Sequence, residues 1–391
     1  MKLHFSKRAK LFKTDALKQL LSVVSKPDII SLAGGMPAPE SFPVELIQKL
    51  SAKVLNDKKA LALQYNKTPG IDEVRETLAN WLNKQYGWKL SAENVMITTG
   101  STQAFDLIAK IFLDFNDKIV LEDPSYMGAL WCFDTYKLNY ITVKSEADGI
   151  DINELEDKLK SNKKIKFLYI VSNFQNPTGR VVELSKRRQL IDLANKYDFL
   201  IIEDDPYCHL RFEGEAIPPM KTFDTEGRII YLSTFSKILA PGLRVAYIAA
   251  DKEIISWLAN AKESADLSSN TISQYIVNEY IKGEYVEDQI KKIVKIYKPR
   301  YKTMLKSLSK YFPKNSYWTE PEGGMFTWVE LDEAIDTEKL YSKAIEHNVA
   351  FVPGVHFYAH KDVKNTMRLN FSNVPEENIE KGIKILGKLL K

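Results

Sequence analysis

The middle of the chain alternates short β-rich runs with amphipathic helical patterns, without a repeat or a flexible linker. This alternation predicts a largely parallel sheet that is covered by helices. Several of the runs are continuously apolar, as in strands that are buried on both faces. The predicted strands are Val95–Thr99, Ile119–Glu122, Phe167–Ser172, Phe199–Glu203, Ile229–Ser233 and Val245–Ala249.

Helical periodicity predicts helices around these strands, at Asp15–Ser25, Ile71–Tyr86, Ser101–Leu113, Ser185–Tyr197 and Glu284–Leu308. The last of them is long and polar, and we expect it to bridge two lobes. Shorter strand patterns follow it and predict a smaller α+β lobe. These patterns are Trp328–Leu331, His347–Phe351 and Met367–Ser372.

Composition narrows the function classes. The 391 residues suit two packed lobes, and the net charge of +4 is spread along the chain, so no nucleic-acid footprint is evident. The N-terminus lacks the apolar core of a signal peptide, and no run approaches the ~18 apolar residues that span a bilayer. Cys132 and Cys208 predict neither a disulfide framework nor a zinc site. We expect a cytoplasmic protein that binds no membrane, nucleic acid or metal.

Polar residues follow the predicted strands, at the sheet edge where α/β proteins bind ligands. Gly100 with Ser101 and Thr102 opens a helix and could cradle a phosphate, although such a turn is more often simple helix capping. Asn176 directly precedes a Pro-Thr-Gly turn and could donate a hydrogen bond to a cofactor or a substrate. Asp204 ends an apolar strand, where a buried carboxylate needs a cationic partner.

Lys237 follows the next strand and is flanked by hydroxyl groups. Thr234, Ser236 and Arg244 would form a second anion-binding cluster beside it. Most lysines are surface residues, but a lysine at a strand end among hydroxyl groups is a candidate for a Schiff-base amine. It could equally be the base of a Ser–Lys nucleophile pair.

Taken together, these motifs resemble those of the fold-type I pyridoxal-phosphate enzymes, and most closely the subgroup that contains kynurenine/2-aminoadipate aminotransferases. The resemblance runs from Ile30 to about Ser372. Its motifs are Ser31-Leu32-Ala33-Gly34-Gly35-Met36-Pro37, Asn176-Pro177-Thr178-Gly179, Asp204-Asp205-Pro206-Tyr207, Ser233–Lys237 with Arg244, and Met367-Arg368-Leu369-Asn370-Phe371-Ser372.

The resemblance implies the aspartate-aminotransferase fold, which is an α/β fold. A large domain over residues 41–285 would hold a mostly parallel seven-stranded sheet covered by helices. Residues 286–391 would form a smaller α+β domain, and residues 1–40 would pack with it and cover the site. The implied activity is transfer of an amino group between an aromatic, 2-aminoadipate-like or long aliphatic amino acid and a 2-oxo acid such as 2-oxoglutarate.

The resemblance also implies roles for single residues. Lys237 matches the lysine that carries pyridoxal 5'-phosphate as an internal aldimine and then acts as the base. Asp204 matches the partner of the pyridine nitrogen. The other implied cofactor contacts are Tyr207 and Asn176 at the phenolate oxygen, Tyr126 stacked on the ring, and Ser101, Thr102, Thr234, Ser236 and Arg244 at the phosphate, with Thr234 where serine is usual.

Substrate and partner contacts are implied in the same way. Arg368 matches the arginine that binds the substrate α-carboxylate through a bidentate pair, and Gly35 lies in a substrate-binding motif. Lys18 falls near a lid position where the subgroup can carry an arginine for a distal carboxylate. Tyr65 matches a tyrosine that reaches the phosphate of the neighbouring subunit, which implies a homodimer with shared sites.

Three other functions share some of these sequence features. A β-lyase or a decarboxylase of the same fold would share these residues. Transcription regulators carry the fold behind a DNA-binding domain, and we do not expect one here because the fold begins within the first thirty residues. A Ser–Lys hydrolase using Ser233 or Ser236 with Lys237 would leave four residues unexplained, which are Asp204, Tyr207, Asn176 and Arg368.

Overall fold

The computed structural model describes residues 3–12 and 28–391. The predicted helix Asp15–Ser25, and with it Lys18, lies outside the described residues. The strands in the described part are β1 Ile30–Ser31, β2 Val95–Thr98, β3 Lys118–Asp123, β4 Asn139–Glu146, β5 Gly149–Ile150, β6 Ile165–Val171, β7 Leu200–Asp204, β8 Ile229–Thr234, β9 Ala246–Ala249, β10 Tyr317–Trp318, β11 Phe326–Glu330, β12 Val349–Ala350, β13 Val352–Pro353 and β14 Thr366–Asn370.

The α-helices in the same part of the chain alternate with the strands of the large sheet and then dominate the C-terminal half. They are α1 Val44–Lys58, α2 Asp72–Tyr86, α3 Ser101–Phe112, α4 Met127–Asp134, α5 Ile152–Ser161, α6 Leu184–Tyr197, α7 Lys252–Asp266, α8 Thr271–Lys282, α9 Val286–Tyr311, α10 Thr337–Glu346 and α11 Glu376–Leu389. None of the described helices is long and apolar enough to cross a membrane.

The large sheet confirms the predicted fold class and adds one strand to the predicted seven. Its eight strands lie in the order β2-β9-β8-β7-β6-β3-β4-β5. The strands from β8 to β4 pair in parallel, whereas β9 runs antiparallel to both β8 and β2. The additional strand, β5, has two residues and forms a hairpin with β4 at the edge of the sheet.

Apolar side chains explain why the central strands are buried on both faces. All the residues of β8 and β2 are buried, and so are most of those of β6 and β7. Phe105 and Leu107 of α3 and Leu190 and Ala194 of α6 belong to the buried clusters on the sheet. A strand covered on both sides has no alternating pattern, as the sequence indicated.

The smaller sheet is built from the C-terminal part of the chain, in the order β10-β11-β14-β13 with antiparallel pairing throughout. The predicted strand His347–Phe351 is instead two short strands, β12 and β13, on either side of Phe351. They belong to different sheets, because β12 pairs in parallel with β1 near the N-terminus.

Helix α9 joins the two halves of the hydrophobic core. Its first residue, Val286, packs in the cluster that contains Leu78 of α2, whereas Ile293 and Tyr297 pack in the cluster that contains Met325 and Phe371. The helix was predicted at Glu284–Leu308, and the structure places it two to three residues further along the chain.

One buried arginine forms hydrogen bonds with two separate segments, the residues that follow β6 and the loop between β7 and β8. The Arg187 side chain is fully buried and donates hydrogen bonds to the carbonyl oxygens of Ser172 (2.9 Å) and Pro218 (2.9 Å) and to Asn173 Oδ1 (2.7 Å). Its positive charge also opposes the effect of burial, which raises the pKa of the Asp205 carboxyl. Arg187 therefore satisfies several buried polar groups at once.

We predict that Arg187→Met lowers the free energy of unfolding by about 3–5 kcal/mol, because it leaves buried acceptors and a buried carboxylate without their cation. Urea unfolding at neutral pH measures the change. Arg188→Met is the matched control: Arg188 is exposed beside the Phe223 ring and should cost less than about 1 kcal/mol. Equal losses for the two variants would contradict the prediction.

Candidate active site

The parallel strands β6, β7 and β8 end at one edge of the large sheet, and a cavity of about 330 Å³ lies there. Most of the residues singled out in the sequence line this cavity, although they come from distant parts of the chain. They are Gly35, Ser101, Thr102, Tyr126, Asn176, Asp204, Tyr207, Thr234, Ser236, Lys237, Arg244 and Arg368.

Lys237 stands inside the cavity, three residues after the end of β8. Its Nζ donates a hydrogen bond to the carbonyl oxygen of Gly35 (2.9 Å) and lies 6.0 Å from the centroid of the Tyr207 ring. Burial lowers the pKa of the Lys237 amine to about 8, and the positive charges of Arg368 and Arg244 add to the effect. A substantial fraction of the amine is therefore neutral and nucleophilic near neutral pH.

Asp204 is the last residue of β7 and is buried. One carboxylate oxygen, Oδ2, accepts a hydrogen bond from the Tyr169 hydroxyl at 2.9 Å. The other, Oδ1, is also buried and has no hydrogen-bond partner among the residues that the structure describes. Burial, together with the negative charge of Asp205, raises the pKa of Asp204 to about 7. A cationic N–H donor at Oδ1 would satisfy this oxygen and favour the carboxylate.

The anion-binding groups converge at the first turn of α3. Ser101 and Thr102 begin the helix, where free backbone N–H groups and the helix dipole favour an anion. Arg244, in the left-handed conformation (φ 55°), lies so close that a Cβ at Gly100 would fall 2.1 Å from its Nη2. A side chain at position 100 would displace the Arg244 guanidinium, and the φ of 78° at Gly100 also favours glycine.

Hydroxyl groups after β8 complete this cluster. Thr234 Oγ1 and Ser236 Oγ lie 2.9 Å apart, and the backbone N–H of Ser236 donates to Thr234 Oγ1 at 3.1 Å. Both side chains are buried and line the same cavity as Arg244. Thr234 thus supplies a hydroxyl group at the position where serine is usual.

Arg368 of β14 brings the smaller sheet into the site. Its guanidinium donates to Asn176 Oδ1 (2.7 Å) and to the carbonyl oxygen of Ala33 (2.5 Å). The Phe326 and Phe357 rings face it, with centroids 4.3 and 5.1 Å from Cζ. Burial lowers the pKa of Arg368 to about 10, but the group remains charged at neutral pH.

Sequence reasoning did not find several side chains of this site. Tyr169 contacts Asp204 from within an apolar strand, and Met127 and Trp131 of α4 form part of the cavity wall beside Tyr126. In the sequence these residues resemble ordinary core residues, because each lies in an apolar run. Phe326 had one usable signal, since it follows two adjacent glycines at the entry to a strand.

Gly128 is a further residue that the sequence did not single out. An added Cβ would lie 2.6 Å from the Tyr126 hydroxyl oxygen, so glycine permits the close approach of that ring. Burial raises the pKa of Tyr126 to about 12, which keeps its hydroxyl protonated.

One of the predicted residues lies apart from the others. Tyr65 is 78% exposed and does not line the cavity of its own chain. Lys18 lies outside the described residues.

Comparison with known proteins identifies the family. Residues 27–386 match the family of class I and II aminotransferases. This chain belongs to that family. The aminotransferase is 46% identical over 392 residues to aromatic-amino-acid aminotransferase 1 of Thermococcus litoralis, a match that covers 99% of this chain and 94% of the relative.

Solved structures agree with this assignment. The Pyrococcus horikoshii kynurenine aminotransferase in complex with PMP matches the aminotransferase with a TM-score of 0.95 at 45% identity, over 99% of this chain and 96% of that one. The α-aminoadipate aminotransferase of Thermus thermophilus, complexed with N-(5'-phosphopyridoxyl)-L-leucine, gives a TM-score of 0.92 at 37% identity, over 99% and 97%.

These matches confirm the predicted family, the aminotransferase activity and pyridoxal phosphate as the cofactor. The donor set fits that group. The buried oxygen of Asp204 without a partner suits a protonated pyridine nitrogen, and the hydroxyls beside Arg244 suit a phosphate. The Lys237 amine, with its lowered pKa of about 8, suits the cofactor aldehyde.

We predict that the apoenzyme combines with pyridoxal phosphate at a rate that rises about tenfold per pH unit below pH 8 and levels off above it, because only the neutral Lys237 amine attacks. Stopped-flow absorbance measures the rate. In Arg368→Gln the plateau should move to higher pH, since loss of a nearby positive charge raises the pKa of Lys237. A wild-type rate that still climbs at pH 10 would contradict the assignment.

Proposed function

We propose that this aminotransferase takes an amino group from an aromatic, 2-aminoadipate-like or long aliphatic amino acid and gives it to a 2-oxo acid such as 2-oxoglutarate. The observation that carries the proposal is the composition of the cavity. Arg368 offers one fixed cation for an α-carboxylate, while Met36, Met127 and Trp131 offer an apolar wall.

Each polar group of the cavity then has a role toward the cofactor. Lys237 would bind it covalently, and Asp204 would hold the proton on its ring nitrogen. Tyr207 and Asn176 would hydrogen-bond the ring oxygen, and Tyr126 would stack on the ring. Ser101, Thr102, Thr234, Ser236 and Arg244 would bind the phosphate. When bound, pyridoxal phosphate supplies an electron sink that stabilises negative charge at the substrate Cα.

Lys237 also moves the proton. Its Nζ lies in the cavity, and desolvation lowers the pKa of this amine to about 8, so the neutral amine could take the proton from the substrate Cα. Arg368 holds the α-carboxylate and so fixes the direction of the Cα–H bond. Arg368 is buried and Lys237 is partly buried, so both groups act at a site with little exposure to solvent.

Selection between substrate side chains depends on charge. Among the described residues that line the cavity, the cationic side chains are Lys237, Arg244 and Arg368, and each already has a role. An acidic substrate side chain would therefore need a further cation, and Lys18 is the candidate from the sequence. The relatives carry names of both kinds, since one is an aromatic-amino-acid aminotransferase and another a 2-aminoadipate transaminase.

We predict that aromatic amino donors give the highest kcat/KM in a panel of donors with 2-oxoglutarate, scored by oxo-acid formation. Lys18→Ala should lower kcat/KM for 2-aminoadipate and glutamate by about tenfold and leave aromatic donors within about twofold, because only acidic side chains lose an ion pair. Lys18→Arg is the control and should retain both activities. Equal losses for acidic and aromatic donors would exclude Lys18 as the selecting residue.

We propose further that the active unit is a homodimer in which Tyr65 reaches the phosphate of the partner's site. The exposure of Tyr65, away from the cavity of its own chain, supports this arrangement. One isologous interface would complete both sites.

The proposed domains are residues 41–285 for the cofactor and 286–391 for the smaller lobe, with residues 1–40 over the site. A cytoplasmic location also remains a prediction from the sequence.

A mixed dimer tests the shared site. One chain carries Tyr65→Phe and the other Lys237→Ala, with different tags so that the mixed dimer can be purified. If Tyr65 acts on the partner's site, one site of the mixed dimer has both wild-type residues, and the dimer keeps about half of the wild-type activity at limiting cofactor. The Tyr65→Phe homodimer should bind the phosphate about tenfold more weakly. If the mixed dimer shows that same weak binding, Tyr65 acts within its own chain.

A further inference from the structure

Phe174 is a fully buried aromatic residue with a backbone conformation that is unusual for its type. Its φ is 48°, in the left-handed region that residues with a Cβ rarely adopt. It lies two residues before Asn176. Such a conformation persists only where the surrounding structure enforces it, and residues of this kind cluster at functional sites.

Two glycines enclose Phe174. An added Cβ at Gly323 would lie 2.5 Å from Cζ of the ring, and one at Gly324 would lie 2.6 Å from the Phe174 Cβ. Both distances are far below van der Waals contact, so only glycine allows the backbone to pass here. The Arg211 guanidinium also faces the ring, 4.8 Å from its centroid.

The glycine pair connects the smaller sheet to the segment after β7. The backbone N–H of Gly324 donates to the carbonyl oxygen of Leu210 (2.8 Å), and Arg211 and Gly323 form a β-bridge. Two residues after Gly324 comes Phe326, whose ring packs against the Arg368 guanidinium and edge-on against the Tyr207 ring.

Hydrogen bonds fix the positions of the two residues that follow Phe174. The backbone N–H of Gln175 donates to the carbonyl oxygen of Arg180 (2.8 Å), and its side-chain amide donates to the buried Glu122 carboxylate (2.5 Å). Next in the chain, Asn176 accepts the hydrogen bond from Arg368 at 2.7 Å. Constraints on both preceding residues therefore determine where the Asn176 amide points.

We propose that Phe174 is a positioning residue for substrate binding. Its ring, enclosed by Gly323 and Gly324, fixes the backbone that presents Asn176 to Arg368, and the same glycine pair places Phe326 under Arg368 from the other sheet. The α-carboxylate site is thus aligned by one contact between the two sheets. This inference rests on the proposed role of Arg368 in carboxylate binding.

The test uses the holoenzyme and hydrocinnamate, an unreactive carboxylate analogue of an aromatic donor, whose Kd is read from the cofactor absorbance. Phe174→Leu keeps an apolar side chain but loses the ring that fills the space beside the glycines. We expect Kd, and KM for the donor, to rise about tenfold, as for one charge-assisted hydrogen bond lost, with kcat changed by less than about threefold.

A double variant separates positioning from mere stability. If Phe174 acts through Asn176, adding Phe174→Leu to Asn176→Ala should change Kd by less than about twofold. Phe167→Leu, at another fully buried phenylalanine of the large sheet, is the control and should lower stability without changing Kd. Effects of the two site variants that multiply, or a Kd for Phe174→Leu equal to the wild-type value, would overturn the proposal.

A second pair of variants changes the Arg211–Glu322 ion pair beside the ring and leaves the apolar core residues unchanged. Arg211→Met removes the guanidinium from the ring and should raise Kd. Glu322→Gln removes only the charge of the Arg211 ion-pair partner and should leave Kd unchanged. The same response in both would overturn the proposal.

If Arg368→Gln left the Kd unchanged, the proposed function itself would fail. An effect of Arg368→Gln without one of Phe174→Leu would reject only this inference.

Discussion

The register of three parallel strands determines the site. Val171 pairs with Asp204, and Asp204 pairs with Leu232, so β6 and β7 end at the same level of the sheet and β8 ends two residues beyond it. The loops that follow them therefore leave the sheet side by side and bring Asn176 and Lys237 toward Asp204. A shift of one residue in this register would turn the Asp204 carboxylate to the other face of the sheet.

The ionisable groups at this edge of the sheet are desolvated, which costs free energy in the protein without its ligands. Asp204 is buried and Lys237 is partly buried, and desolvation raises the pKa of the carboxyl to about 7 and lowers that of the amine to about 8. Arg368 is buried between aromatic rings and has no carboxylate partner in the described residues. A cofactor with a cationic ring nitrogen and an aldehyde, together with a substrate carboxylate, would compensate all three. The ionisable groups of the site are therefore fully paired only when the cofactor and the substrate are bound.

Much of the fold and of the site could be predicted from the sequence, but some residues were easier to find than others. Lys237 and Asp204 could be found because polar residues directly after apolar strands are conspicuous, and most central strands were placed within two residues. Arg368 required the family resemblance, since an arginine on a short strand is otherwise unremarkable. The strand β4 escaped prediction because its outer residues are polar and partly exposed.

Other features could not be read from the sequence at all. Tyr169 and Trp131 lie in apolar segments, where a functional side chain looks like a core side chain. Phe174 acquires its conformation from Gly323 and Gly324, almost 150 residues away, and no local pattern encodes such a contact. The contribution of Lys18 depends on a segment outside the described residues.

The central claim is that Lys237 binds the cofactor. Borohydride reduction of the purified holoenzyme, followed by peptide mass spectrometry, tests it most directly. The account predicts one phosphopyridoxyl group per chain on Lys237, with loss of the visible absorption band, and no stable adduct in Lys237→Ala. A stoichiometric adduct on any other lysine would contradict it.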